Sequence, residues 1–425
     1  MIEIKNLSSN TSRIVELLKK RGTDFSSDID TLLSLDHRRK SIQKNSDERL
    51  NKSKQIAKQI GELFSSDIKS PLIQKLKKES SNLKEEIKLL QAELKEVEAQ
   101  IKEGLLKVPN IPDSSVPEGA KESDNQIIRS VVNEKTYSEK IYPHWDLCEK
   151  YKLIDFKNGT KVTGSGFPIY KGKGSKLQRS LISYFLDKNT KNGYEEFLPP
   201  FLVNEDSAFG TGQLPDKDSQ MYHISNDNLY LIPTSEVPIT NIFRDNVLAY
   251  NDLPIKCTSY SPCFRREAGS YGKNVRGLNR LHQFEKVEIV EIQEQEKSEQ
   301  ALNNMIKHVE SILIELGLSY RLVKLCGGDL GFTSSLTYDF EVFSPGQNKW
   351  LEVSSISNFK TYQSNRLKLR YKDISGKIKL CHTLNGSSLA LPRIFSTIIE
   401  TFQKKNFIEI PKVLQKYTGF SKIDL

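Results

Sequence analysis

No run of apolar residues in this 425-residue chain approaches the roughly 20 that a helix needs to cross a bilayer. The N-terminal MIEIKNLSSN also lacks the apolar core of a secretory signal. Cysteine is scarce. Cys148, Cys257, Cys263, Cys326 and Cys381 are odd in number and scattered, and no CxxC pair occurs, so neither a zinc ribbon nor a dithiol redox motif is indicated. Free, buried thiols in a reducing compartment are the expectation. Neither GxGxxG nor GxxxxGK[ST] is present, which removes support for a dinucleotide fold or a P-loop. The expectation is a soluble, cytoplasmic protein with no membrane partner and no structural zinc.

Charge is abundant. Charged residues make up 28% of the chain against 37% hydrophobic, and the formal net charge is +9. A field of that sign attracts polyanions such as nucleic acid, although a lysine-rich solvated surface has the same composition. The length allows two domains at roughly 100–200 residues each.

The clearest periodicity lies between Leu72 and Leu105. Leu76, Leu83, Ile87, Leu90, Leu94, Val97 and Ile101 recur at sevens, or at alternating fours and threes, among Lys, Glu, Gln and Ser. That is the a/d seam of a coiled coil. Upstream, Leu35, Ile42, Arg49/Leu50, Ile56, Ile60 and Leu63 give a looser form of the same period, with charged residues at some core positions. Between them SSDIKSP ends in Pro71, suited to the first turn of a helix. Two long helices and a short polar turn predict an antiparallel hairpin. At 1.5 Å per residue, about 35 residues would span roughly 50 Å.

The hairpin stops at Val108-Pro109-Asn110-Ile111-Pro112, and SSVPEGAKESDN continues as a proline-rich polar stretch. The expected organisation is an arm at 1–108, a linker at 109–135 and a larger domain at 136–425. In that domain β-prone runs at Leu229–Ile232, Val287–Ile292, Tyr338–Phe343 and Trp350–Val353 alternate with helical stretches at Lys176–Thr190, Glu296–Leu316 and Pro392–Lys404. The fold class expected is α+β, an antiparallel sheet flanked by helices and preceded by the coiled-coil arm.

Chemistry concentrates in Cys263-Phe-Arg-Arg-Glu-Ala-Gly-Ser-Tyr-Gly and its continuation through Arg276 and Arg280 to His282-Gln-Phe-Glu-Lys-Val-Glu288. Gly269 and Gly272 mark a loop between two strands. Phe284 and Glu288 share parity on the second strand and so one face, about 13 Å apart. A ring and a carboxylate in one cleft, with arginines beside them, suit a nucleotide and a ligand bearing an amine or hydroxyl. His282, Lys286, Cys381 and His382 could suggest a metal or a nucleophile; the plainer reading is hydrogen-bonded structural residues.

FRREAGSYG followed by RLHQFEKVE resembles the second signature motif of class II aminoacyl-tRNA synthetases, in the form found in seryl-tRNA synthetases. GYEEFLPPFLVN (Gly193–Asn204) is similar to the first motif, with its proline at Pro200, and HTLNGSSLALPR (His382–Arg393) to the third. TGQLP, LIPTSEVP and LEVSSISN fall between them in the family's order, and the helical hairpin is itself typical of the family. The resemblance runs over essentially the whole chain.

It implies a serine–tRNA ligase that forms seryl-adenylate from L-serine and ATP with Mg2+ and transfers the seryl group to tRNA(Ser), and to tRNA(Sec) where one exists. It also implies a homodimer. Arg265 and Arg393 would be the catalytic arginines, the first on the α-phosphate and the attacking carboxylate, the second on the γ-phosphate. Guanidinium forks suit both roles. The resemblance assigns ATP to Arg265, Arg266, Glu267, Phe284, Glu352, Val353, Ser354, Ser355 and Arg393, with Glu352 and Ser355 also holding the magnesium. It assigns serine to Thr234, Ser235, Glu236, Arg265, Glu288, Asn385 and Ser387. Arg38, Arg39, Lys75, Lys78 and Lys88 are candidate tRNA contacts on the arm.

The sequence departs from the family in three places: Arg266 stands where many relatives carry serine, LALPR lacks glycine before its arginine, and the arm's first helix has a weak seam with charged residues at some expected core positions. Two other readings remain, a relative charging a non-tRNA acceptor and an RNA-binding paralogue with a dead site. The intact hairpin argues against the first. The presence of Arg265, Glu267 and Arg393 argues against the second.

Overall fold

The computed structural model describes residues 1–66, 70–133, 140–217, 219–267 and 276–425. The chain divides into two compact units, one of residues 2–19 and 23–109, the other of Met1, 20–22 and 110–425.

The smaller unit opens with short helices α1 (Ile4–Ser9) and α2 (Thr11–Lys19), followed by α3 (Ser26–Ser66) and α4 (Pro71–Lys107). Pro71 sits in the first turn of α4, where a missing N–H costs nothing. Ion pairs fix α3 and α4 as antiparallel: Arg38–Glu93 at 2.8 Å, Arg49–Glu86 at 2.6 Å and Lys52–Glu79 at 2.7 Å, one index rising as the other falls. Leu76, Leu83, Ile87, Val97 and Ile101 are buried along α4, while Leu90 and Leu94 are half-buried.

The seam of α3 departs from the expected one. Ile29, Leu32, Ile42 and Ile56 are buried, but so are Asp36 and Ser46, whereas Leu35, Leu50, Ile60 and Leu63 are only half-buried. Asp36 is tolerated because Arg39 at 2.9 Å and Lys40 at 2.7 Å, one turn on, neutralise its carboxylate. The centre of the expected turn, residues 67–69, lies outside the described residues.

The larger unit is built on an eight-stranded sheet. Its strands are β1 (Gln126–Val131), β2 (Glu195–Phe197), β3 (Ile255–Phe264), β4 (Gln283–Gln293), β5 (Tyr320–Lys324), β6 (Leu336–Ser344), β7 (Lys349–Lys360) and β8 (His382–Ala390). They lie in the order β1-β5-β6-β7-β8-β4-β3-β2. Every neighbouring pair is antiparallel except β2 with β3. The stretch expected as a linker carries regular structure, since Gln126–Val131 is the edge strand on β5. The run at Leu229–Leu231 belongs to a separate three-stranded sheet.

Helices α5 (Gly172–Lys191), α8 (Ser298–Leu316) and α10 (Leu391–Thr401) bury their apolar stripes with the large sheet; between β2 and β4 lie the short helices α6 (Glu205–Thr211) and α7 (Glu236–Asn241), and after β7 α9 (Tyr362–Leu367). Leu181, Met305, Val309 and Phe395 join Val287, Ile289, Phe340, Val353 and Ile356 in one core. Strand alternation then turns Lys286 and Glu288 to the opposite face, while Phe284, near the start of β4, stays half-buried against the core.

Candidate active site

On that opposite face lies a cavity of about 590 Å³ lined by Thr234, Glu236, Arg265, Glu267, Glu288, Glu352, Ser355, Asn385 and Ser387. These residues come from well-separated segments of the chain. Register explains the middle of the group, because Glu288 on β4 pairs with Ser387 on β8, and Asn385 on β8 pairs with Ser357 on β7. Glu352 and Ser355 are three apart, which regular alternation would send to opposite faces. A bulge resolves this: Phe340 pairs with Ser354 and Glu341 with Glu352, so Val353 has no partner and the parity shifts. An adjoining cavity of about 570 Å³ shares Glu352, Ser355 and Arg280 and is lined by Arg393 and Asp339.

Arg265 leaves the end of β3 with its guanidinium 5.3 Å from the centre of the Phe284 ring. Glu267 has a left-handed φ of +48°, uncommon without glycine, and its carboxylate meets Arg280 at 3.1 Å. Gly269 and Gly272, with the rest of 268–275, lie outside the described residues. Beyond them the chain is pinned. The Leu278 N–H donates to His144 Nε2 at 2.9 Å, and His144 Nδ1 lies 2.8 Å from a Glu400 carboxylate oxygen, both side chains fully buried. Gly277 is required here, since its φ is +71° and a Cβ would fall 2.1 Å from His144 Nε2. Arg393 donates to the Glu352 carbonyl at 2.6 Å and to that of Asn279 at 3.3 Å, linking β7 to this pinned segment.

At the other end of the cavity the polar groups are buried and mutually bonded. Thr234 Oγ1 donates to Glu288 Oε2, and Lys286 Nζ reaches the same oxygen at 2.7 Å. Asn385 Nδ2 donates to Glu236 Oε2 at 2.5 Å. Burial, and then the charge of Glu288, push the Glu236 carboxyl up to about 7. In the adjoining cavity, burial and then the charge of Glu352 hold the Asp339 carboxyl well above its usual range, and its Oδ1 has no hydrogen-bond partner among the described residues.

Five expected residues do not line these cavities, the first being Phe284, which is half-buried against the core with Arg265 over its ring. Val353 belongs to the core, Ser354 Oγ donates to the Ser387 carbonyl at 2.6 Å, Ser235 is buried at the start of α7, and Arg266 is exposed. His282 hydrogen-bonds Tyr222 at 2.8 Å and His382 hydrogen-bonds Ser298 at 2.7 Å. No group of three or more His, Cys, Asp or Glu side chains suited to a metal occurs among the described residues. Sequence reasoning missed Gln363, Arg366 and Asp339, which carry no motif signal. Lys286, read from the sequence as a structural residue, lines the cavity with Glu288, whose strand parity it shares.

Two family models match the chain: the seryl-tRNA synthetase N-terminal domain over residues 1–112, and the tRNA synthetase class II core domain (G, H, P, S and T) over residues 221–402. A serine–tRNA ligase of Salinibacter ruber is 44% identical over 425 residues, covering 100% of this chain and 99% of that protein. One from Nautilia profundicola is also 44% identical, covering 98% of this chain and 100% of its own. Among solved structures, the seryl-tRNA synthetase of Pyrococcus horikoshii complexed with ATP superimposes with a TM-score of 0.93 at 32% identity, covering 100% of this chain and 99% of that one. No described helix is long and apolar enough to cross a membrane. With full-length relatives at 44% identity and a solved member sharing the fold at a TM-score of 0.93, the chain belongs to the seryl-tRNA synthetase family.

Proposed function

We propose that this chain is a cytoplasmic serine–tRNA ligase. It activates L-serine with ATP and transfers the seryl group to the 3′ end of tRNA(Ser), and of tRNA(Sec) where the organism has one. The observation that carries the site assignment is the convergence of Thr234, Glu236, Arg265, Glu288, Asn385 and Ser387, from four separated stretches of the chain, on one cavity.

Activation requires the serine carboxylate to attack the α-phosphate in line with departing pyrophosphate. Positioning and charge stabilisation dominate, because the transition state accumulates negative charge on oxygen. Arg265 holds the α-phosphate and the attacking carboxylate, and Arg393 the γ-phosphate. Glu267 accepts from the adenine amino group and Phe284 gives the ring a stacking face. Glu236 receives the serine ammonium with Thr234 beside it. Glu288, whose Oε2 already takes Thr234 and Lys286, accepts the serine hydroxyl through its other oxygen, and Ser387 and Asn385 close the pocket. A site built to bond a hydroxyl rejects alanine, which would leave buried partners unpaired.

Magnesium fits the oxygen donors Glu352 and Ser355, with Asp339 Oδ1, unpartnered among the described residues, lining the same cavity, a hard-ligand set of oxygens. When bound with ATP, it would neutralise phosphate charge.

In this reading residues 1–108 form the tRNA-reading arm, 109–135 lead out of it, and 136–425 carry catalysis. Lys75, Lys78 and Lys88 are exposed on α4 and suit the RNA backbone. Arg38 and Arg39 are engaged with Glu93 and Asp36. A homodimer is supported by the apolar exposure beside Pro200, where Leu198 is 79% and Leu202 40% exposed.

The test is pyrophosphate exchange into ATP with each amino acid in turn, with magnesium and without tRNA. Exchange dependent on serine, with alanine and threonine far weaker, is expected. Exchange driven by another amino acid would overturn the assignment of the pocket.

A further inference from the structure

Gln363 lies on α9, a six-residue helix outside the three class II motifs, and its side chain is 1% exposed. Both hydrogens of its amide nitrogen are used. Nε2 donates to Glu236 Oε1 at 2.7 Å and to the Thr211 carbonyl at 3.1 Å. Its oxygen accepts from Thr383 Oγ1 at 2.7 Å. The orientation of the amide is therefore fixed. A flip would set its oxygen against both the Glu236 carboxylate and the Thr211 carbonyl, leaving acceptors facing acceptors in a buried place.

Two features make this contact bear on substrate. Glu236 has one donor on each carboxylate oxygen, Gln363 on one and Asn385 on the other. Such donors favour the ionised carboxylate in a place where burial opposes it. Thr211 is the last residue of α6 and precedes Gly212, whose φ is +95° and whose Cβ would meet Thr333 at 2.3 Å. The chain then turns along the cavity wall through Gln213 and Pro215. Gln363 thus ties the Glu236 carboxylate to the segment that borders the same cavity.

We propose that Gln363 is a positioning residue for capture of the substrate amine, holding Glu236 ionised and aimed while anchoring the loop that begins at Thr211. This rests on the reading that Glu236 receives the serine ammonium. The charged groups lining the cavity with Glu236 include Glu288 and Lys286 on β4, Arg265 after β3, Arg366 on α9, and Asp216 and Lys217 on the loop after α6; Glu267, Arg280 and Glu352 complete them. None of them duplicates the amide, because the two oxygens of Glu236 take their hydrogen bonds from Gln363 and Asn385.

The test is steady-state pyrophosphate exchange by the full chain across pH, for the parent, Gln363→Met and Gln363→Glu, with Glu236→Gln as control. Methionine keeps the volume and removes both donors, while glutamate adds repulsion. Gln363→Met should raise KM for serine roughly 10- to 100-fold, the loss of a hydrogen bond to a buried charge. KM for ATP should stay within about twofold and kcat should be largely kept. The midpoint of kcat/KM for serine should move to higher pH, and further in Gln363→Glu. A fall in kcat with unchanged serine KM and an unchanged midpoint would reduce Gln363 to a packing residue and overturn the proposal. If Glu236→Gln itself leaves serine KM unaltered, the amine assignment fails, a result distinct from failure of Gln363 alone.

Discussion

The Glu236 carboxyl, pushed up to about 7 by burial and by the neighbouring charge of Glu288, makes serine capture depend on pH in a range where an ordinary carboxylate would show nothing. Only the ionised form pairs with the ammonium group, which free serine keeps throughout the interval. Lowering the pH from about 8 to about 6 takes the ionised fraction from roughly ten-elevenths to one-eleventh, so kcat/KM for serine should fall about tenfold with a slope approaching one. The same displacement acts on stability. The folded value lies above the unfolded one of 4.5, so the folded state holds a proton that the unfolded chain releases. The contribution is fully present below about pH 4.5 and is lost as pH rises through about 7, a difference of roughly 3 kcal/mol. Serine, supplying a cation to the ionised site, should therefore raise Tm more at about pH 8 than at about pH 6. Exchange kinetics at subsaturating serine and saturating magnesium and ATP read the first effect, and thermal melts with and without serine read the second. A serine kcat/KM that stays flat from about pH 8 to 6 would refute the burial argument.

Two further outcomes follow from the assigned roles. Arg265→Ala should lower pyrophosphate exchange by roughly 10³-fold, the scale of losing a preorganised charge donor. Its side chain is half-buried at the cavity wall and outside the apolar core, so Tm should change little; near-normal exchange would refute the site assignment. Deleting residues 30–100 should spare serine-dependent exchange and cripple tRNA charging, measured by serine incorporation into tRNA; charging at the parent rate would refute the role given to the arm.

The legible parts of this chain are those where burial and apolar character coincide. α4 shows its seam openly, and its buried residues include Leu76, Leu83, Ile87, Val97 and Ile101 as the period requires. α3 does not, because Asp36 occupies a buried position and is neutralised by Arg39 and Lys40, a compensation that a pattern of apolar residues cannot register. Strand β7 is visible in the sequence only at Trp350–Val353, whereas it runs from Lys349 to Lys360. Its later residues Ser355, Ser357 and Asn358 are polar, and the first two face the cavities, so they add no β-prone signal. β1 reads as linker because all six of its residues are exposed, leaving no alternation to detect. The motif residues are legible through resemblance, but the bulge that brings Glu352 and Ser355 to one face is not, nor is Gln363, a single amide on a six-residue helix.

The charge balance of the pocket separates affinity from specificity. Glu236 and Glu288 are buried within one cavity, and the buried cation beside them, Lys286, is committed to Glu288 at 2.7 Å. In the ionised state the Glu236 oxygens take amide donors from Gln363 and Asn385, which satisfy them without cancelling the charge. An ammonium group supplies what is lacking, and any amino acid carries one. Glu236 therefore contributes binding that serine shares with alanine and glycine. Discrimination has to come from the other carboxylate, Glu288, where Lys286 and Thr234 hold one oxygen and a substrate hydroxyl completes the set. Affinity and discrimination thus fall to different carboxylates. Variants at Glu236 should weaken all amino acids alike, and variants at Glu288 should narrow the gap between serine and alanine, both read from exchange with each amino acid; a Glu236 variant that altered the serine-to-alanine ratio would refute the division.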